Sequence, residues 1–322
     1  MKRTLNELLT EKCLILRNEN RTGTANNYRT LKTYIEKHYG IVPMTSVTPQ
    51  WAVGLHAKMK ADGKAAATIK GYFSLLQSIT NYAKYLGCSA KGDVKLTRTK
   101  AYELDKVKIE KPKTRQNKWL NVDEMTQLLE FWRTKARKAQ KKSLGLFLAS
   151  YMCNGCNLTD LLRLRYDDEY YNSKKQLFGF VRQKVKNTSG AYIRVPITPE
   201  LREIINTIGD TEKYGGLVFG SFLNDVDTDN DEEINKRVMT VNNYVTKVVR
   251  AICIKLDMRQ DVSITFARHS YCTNLNQAGV NYALIERNMG HSLGITDYYL
   301  GATSPEKLFE ANSHLFKFTE QA

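Results

Sequence analysis

The chain has 322 residues, 42% apolar and 25% charged, with 49 Lys+Arg against 33 Asp+Glu for a formal net charge of +16. That length suits about two domains of ~150 residues each, and the balance excludes wholesale disorder, collagen-like repeats and coiled-coil arrays. The longest apolar run, Gly145–Cys153, is far short of the ~20 residues of a membrane helix, and six scattered cysteines make no disulfide framework.

The start, MKRTLNELLTEK, lacks the uninterrupted apolar core of a signal peptide. A soluble, cytoplasmic protein with no membrane partner is expected. The charge is unevenly placed. Residues 1–142 hold 29 Lys+Arg and 12 Asp+Glu, a net of +17, whereas residues 143–322 hold 20 and 21, a net of −1. A basic half joined to a neutral half suggests an arm that grips a polyanion, nucleic acid before membrane surface.

Residues 1–95 read as a helical bundle with one basic side. Tyr28, Leu31, Ile35 and His38 recur at helical spacing. Thr48-Pro49 reads as an N-cap followed by proline at the first helical position, with Trp51, Leu55 and Met59 on one face. Ile69, Tyr72, Phe73, Leu76, Ile79 and Ala83 mark a longer helix ending near Gly87. Lys58, Lys60, Lys64, Lys70 and Lys84 lie between them. Residues 96–117 read as a basic interdomain linker holding Pro112.

Residues 118–322 form the second domain. It opens with a capping-box-like Asn121–Glu124, and Leu128, Leu129 and Trp132 then supply a buried face. Another helix is expected over about 142–153. Leu177–Arg182 and Tyr192–Ile197 read as two strands of a hairpin turned by Lys186–Gly190. Thr198-Pro199-Glu200 starts a helix, and further helices are expected from Thr240 to about Leu256 and over 267–278 (stopped by Gly279), 281–289 and about 304–316. The architecture is mainly α with a small β-sheet. Two signals carry little. Asp225, Asp227 and Asp229 have calcium-loop spacing but are followed by Asn230 and Lys236 where Gly and Glu belong. Cys153 and Cys156 form a C-x-x-C with no second pair.

The informative stretch is Ile264–Leu300. Arg268-His269-Ser270 opens a helix, Gly279 breaks it, a second helix runs to Met289-Gly290-His291, and Tyr299 follows eight residues later. This resembles the C-terminal boxes of the tyrosine recombinases, the phage integrase family. There an Arg-His-[Ser/Thr] box precedes Leu-Gly-His and then the nucleophilic tyrosine. Gly155–Asp160 falls where that family has its first Arg box, Gly-x-Arg-x-x-Glu/Asp, and Lys184 where it has its β-hairpin lysine. The resemblance covers about residues 5–315. It implies a core-binding, SAM-like helical bundle over residues 1–95 and an α+β catalytic domain over residues 118–322.

By this resemblance Tyr299 attacks a DNA phosphodiester and becomes covalently joined to it, with Tyr298 the candidate if the register is off by one. Arg268 holds two non-bridging oxygens with its planar fork. His291 hydrogen-bonds the scissile phosphate, and Lys184, or Lys186, protonates the departing 5′-oxygen. His269 fixes local structure. No metal and no cofactor are expected, since cationic side chains supply the charge. The partners implied are double-stranded DNA and a homotetramer on paired DNA sites. An accessory DNA-bending protein is possible, although the short run before the bundle favours a simple two-domain recombinase. The C-terminal segment 304–322 docks on a neighbouring protomer or packs on its own domain.

Two family residues are replaced. Asn157 stands at the first Arg position, and Thr265 at the His or Lys three residues before Arg268. One oxyanion-type donor is worth ~10²–10³ in rate. Arg182 lies two residues before Lys184, and strand side chains alternate with period two. Arg182 is therefore expected on the same face as Lys184, supplying the missing guanidinium. A DNA-binding member without catalysis and a type IB topoisomerase-like enzyme are the alternatives. If six or more basic residues of 1–142 contact phosphates, log K for DNA falls with log salt at about −0.9 per contact. Filter binding across a salt series checks this, and a flat response contradicts it.

Overall fold

The computed structural model describes residues 3–86, 118–186, 190–224, 226–227, 230–291 and 301–318. The expected linker 96–117 lies outside them, as do Asp225, Asp229, Tyr298 and Tyr299. The chain divides into two compact units, Met1–Arg115 and Gln116–Ala322.

The first unit is all helical: α1 (Leu5–Asn18), α2 (Thr22–Tyr39), α3 (Pro49–Ala61) and α4 (Ala66–Tyr85). Thr4 and Glu7 form a reciprocal capping box that starts α1. Thr48 caps α3 by accepting from the Trp51 N–H at 3.1 Å, with Pro49 in the first turn, as the sequence suggests. Leu5, Leu9, Leu31, Ile35, Leu55 and Leu76 are fully buried in one core. Burying each such side chain is worth about 1.5–3 kcal/mol, and that core is what holds four short helices together. Lys58, Lys60, Lys64 and Lys70 remain exposed while Lys84 is half-buried, so the charge of this unit stays largely at its surface.

The second unit packs nine helices and one hairpin among the described residues: α5 (Val122–Thr134), α6 (Lys138–Met152), α7 (Leu158–Leu161), α8 (Asp168–Asn172), β1 (Leu177–Val181), β2 (Tyr192–Pro196), α9 (Pro199–Ile208), α10 (Asp231–Lys255), α11 (Thr265–Gln277), α12 (Tyr282–Asn288) and α13 (Pro305–Ser313). The strands pair antiparallel, with Gly179 opposite Arg194. The fold is mainly α with a small two-stranded sheet, as expected. Asn121 and Glu124 make both capping-box bonds. Helix α6 is buried on nearly every face from Ser143 onward and is the central post of the core.

Several elements differ from the sequence reading, which held neither α7 nor α8, ran β2 one residue further and started α11 two residues later. Helix α6 begins at Lys138, one turn before residue 142. Helix α10 begins at Asp231, not Thr240. There the Asn230 side chain accepts the Glu232 and Glu233 N–H groups, and three acidic residues complement the positive helix end. Helix α13 ends at Ser313, before residue 316. Strand β1 ends at Val181, not Arg182, and Gln183–Val185 winds into a 3₁₀ turn. Period-two alternation therefore does not reach Lys184. Arg182 is buried and Lys184 exposed, which removes the stated reason for putting them on one face.

A buried polar network joins the last helices to α6. The Tyr151 hydroxyl donates to the Leu315 carbonyl at 2.8 Å and accepts from Asn274 Nδ2 at 2.9 Å. Asn312 Nδ2 donates to the Met152 carbonyl at 3.1 Å. The Tyr271 hydroxyl accepts from Asn288 Nδ2 at 3.2 Å and lies 3.3 Å from Asn154 Oδ1 and Asn312 Oδ1. Leu308, Ala311, Leu315 and Phe316 are buried with it, so this segment packs on its own domain. Asn312→Ala removes the donor to Met152 and leaves buried groups unpaired, at a cost of about 2 kcal/mol or more. At ~2–4 °C per kcal/mol for a unit of this size, its thermal midpoint is expected to fall by several degrees.

Candidate active site

The site is built where the start of α11, the turn after α6, the end of α12 and the end of β1 meet. Arg268 is its centre. Its Nη1 donates to the Gly155 carbonyl at 3.0 Å and its Nη2 to the Met289 carbonyl at 2.9 Å. Nη2 also lies 2.9 Å from His291 Nε2. Burial and the neighbouring Arg182 hold the guanidinium below the ordinary arginine range, yet arginine stays charged from so high a starting value.

Two glycines permit this closeness. Gly155 has φ +62, and a Cβ there would lie 2.9 Å from the Arg268 Cα. Gly290 has φ +69, and its Cβ would lie 2.7 Å from Ile193 Cδ1 and 3.4 Å from Arg182 Cδ.

Arg182 is 7% exposed. Among the described residues its buried Nε has no hydrogen-bond partner. A guanidinium rarely leaves a buried donor empty, because the unsatisfied N–H costs about 1–3 kcal/mol. Beneath the two arginines lies Asp160, 5% exposed. Its Oδ1 accepts the Gln183 N–H at 2.9 Å. Burial pushes this carboxyl up, against the pull of that N–H and of Arg182, Arg268 and Arg163. Arg182 and Arg268 both lie in the field of this one buried carboxylate, so the pocket keeps an excess of positive charge and an open donor. Such an arrangement suits an anion with several oxygens.

His291 is locked by its two neighbours. Glu286 Oε2 lies 2.7 Å from Nδ1. A carboxylate only accepts and a guanidinium only donates. Nδ1 therefore carries the proton, and the Nε2 lone pair faces Arg268. Glu286 escapes a sequence reading because a glutamate five residues before a histidine matches no motif. Only the one-turn helix end at α12 brings the two together. Asp160 was legible solely as the last position of the first Arg box.

The other expected residues are placed differently. Asn157 is half-buried at the N-cap of α7. Thr265 is exposed at the first residue of α11, its hydroxyl 2.9 Å from that of Ser263. Lys184 and Lys186 are exposed on the turn after β1. Among the described residues, the hydrogen bonds that build the cluster involve none of these four. His269 is exposed. Its neighbour Ser270 is buried, and the Ser270 Oγ accepts the N–H of distant Leu120 at 2.8 Å. Tyr299 and its neighbour Tyr298 lie outside the described residues. Cys153 and Cys156 are buried free thiols beneath the site. The hydrogen bond with Cys153 and burial push the Cys156 thiol well up. No helix among the described residues is long and apolar enough to cross a membrane.

Known proteins share this architecture. The chain is 24% identical over 285 residues to a tyrosine recombinase of Thermosipho africanus, covering 87% of each. Its fold matches the Tn1549 transposon integrase, solved in complex with transposon right end DNA, at a TM-score of 0.63 and 16% identity over 97% of this chain and 98% of that one. It also matches lambda integrase, solved as a dimer bound to a COC′ core site, at a TM-score of 0.59 and 15% identity over 92% of this chain and 77% of that one. A further match is the XerH site-specific recombinase bound to its palindromic difH substrate, at a TM-score of 0.55 and 15% identity over 94% and 83%. Residues 118–304 match the phage integrase family itself. With more than half of its length in that match, the chain belongs to the phage integrase family, the tyrosine recombinases.

Proposed function

We propose that the protein is a site-specific tyrosine recombinase that cleaves and rejoins double-stranded DNA through a 3′-phosphotyrosine intermediate. The observation that carries this reading is the unpartnered, buried Nε of Arg182 beside Arg268. It gives the scissile phosphate a second guanidinium although Asn157 stands at the first Arg position. The reason differs from strand alternation. Arg182 is turned inward by the end of β1, and its aliphatic stem packs against Gly290.

In this mechanism Tyr299 attacks phosphorus, the new Oη–P bond forms and the P–O5′ bond breaks. Lys184, exposed on its turn and free to reach DNA, gives the 5′-oxygen its proton. The reverse sequence, with a 5′-hydroxyl from the partner strand, rejoins the backbone and conserves the bond energy. Arg182 and Arg268 stabilise the charge gathered on the non-bridging oxygens. Asp160 keeps the two guanidiniums together against their mutual repulsion. The basic residues of 1–95 and the linker 96–117 grip the duplex, and residues 118–322 cut it.

Strand exchange through a Holliday junction needs four active sites, so the working form in this reading is a homotetramer on two DNA sites. Integration, excision and inversion all follow from the same chemistry. The replacements at Asn157 and Thr265 favour one other reading, a member that binds DNA without cutting it.

A nicked suicide duplex separates the two. The wild type is expected to trap a covalent protein–DNA adduct that is absent in Tyr299→Phe. Arg182→Ala is expected to abolish the adduct, at least ~10²-fold, while retaining DNA affinity in a mobility-shift titration. No adduct from the wild type means a binding module, and near-normal cleavage by Arg182→Ala removes its assigned role.

A further inference from the structure

A phenol must lose its proton to attack phosphorus, and the threonine at position 265 cannot take one at neutral pH. The hydrogen-bond pattern around His291 offers another acceptor. Glu286 is on α12, five residues before His291, with its side chain 17% exposed. Its carboxylate holds Nδ1 at 2.7 Å. The Nε2 lone pair points at Arg268 Nη2, 2.9 Å away. The charged and titratable groups around the pair are Arg268 and Cys272 from α11, Tyr282 from α12 itself and Arg182 beyond β1. Among the described residues, Glu286 is the carboxylate that touches the ring.

We infer that Glu286 is a positioning residue that fixes His291 as the Nδ1–H tautomer, so that His291 enters the reaction as a proton acceptor at Nε2. This rests on the recombinase reading above. When a phosphate oxygen takes the Arg268 Nη2 donor, Nε2 is released. It then accepts the proton of the attacking hydroxyl while the oxygen–phosphorus bond forms. The ring becomes an imidazolium, and the Glu286 carboxylate stabilises that charge. On rejoining, Nε2 returns the proton to the phenolate as it leaves. No electron is gained or lost, and the 5′-oxygen draws its proton from a separate donor. A histidine that served only as a phosphate donor would need Nε2 protonated, the opposite of what its two neighbours dictate.

The first readout needs no activity. In full-length protein with ¹⁵N-labelled histidine, the signal lost in His291→Gln identifies His291 among five histidines. Its Nδ1 is expected protonated and its Nε2 bare; a protonated Nε2 at neutral pH overturns the inference. The second readout is single-turnover cleavage of the nicked duplex against pH. A reaction that needs a free proton acceptor should speed up as pH rises. Glu286→Gln withdraws the charge that favours the imidazolium. Its acidic limb should move down by about one unit and its plateau fall by ~10² or more. Glu286→Asp should restore part of both. A lower rate with an unmoved limb marks a merely structural glutamate and overturns the inference, as does an unchanged profile. An adduct that persists in Tyr299→Phe instead defeats the recombinase reading, and leaves the tautomer measurement to stand by itself.

Discussion

The candidate active site depends on one half-buried guanidinium. Arg268 spends its donors on the main-chain carbonyls of Gly155 and Met289 and on the His291 ring. Those partners lie 113, 21 and 23 residues away in the chain. Carbonyl groups at the ends of α6 and α12 would otherwise stay unpaired at helix termini. The arginine satisfies them and in return is held in one orientation. A lysine offers a single nitrogen with no planar fork and could not hold the two carbonyls from two fixed nitrogens as Arg268 does.

That constraint propagates outward. The Gly155 backbone must approach Arg268 more closely than any side chain allows, and the Gly290 backbone must clear Ile193 and the stem of Arg182. Behind them the Tyr151–Asn274 and Tyr271–Asn288–Asn312 bonds pin α11, α12 and α13 to α6. A buried polar network of this kind tolerates few alternative packings, because each displaced member strands its partner in a medium of low dielectric. The same medium strengthens the field of Arg182 and Arg268 at the pocket. The rigid frame and the electrostatics therefore come from one source.

Legibility in the sequence followed the locality of the physics. The Thr48-Pro49 cap, the Asn121–Glu124 box and the hydrophobic faces of α4 and α5 depend on neighbours within a turn or two, and they stand where the spacing puts them. The hairpin was legible from its polar turn. Its end was not, since whether Arg182 continues β1 or turns inward depends on Gly290 and Asp160, which arrive from distant segments. Helix α10 starts early for a local reason, the Asn230 cap, which the acidic run 225–229 obscured.

By itself the sequence determined the family, through boxes whose residue types and spacings are set by the chemistry of a phosphodiester. It also determined where the positive charge is stored, since composition along a chain needs no fold to be counted. The tertiary structure alone decided that Arg182 turns into the cluster beside Arg268 and which way His291 presents its lone pair. Both are questions of direction. A guanidinium points according to the carbonyls and carboxylates that close around it, and an imidazole according to the acceptor behind it. Those partners meet only when four distant segments fold onto α6.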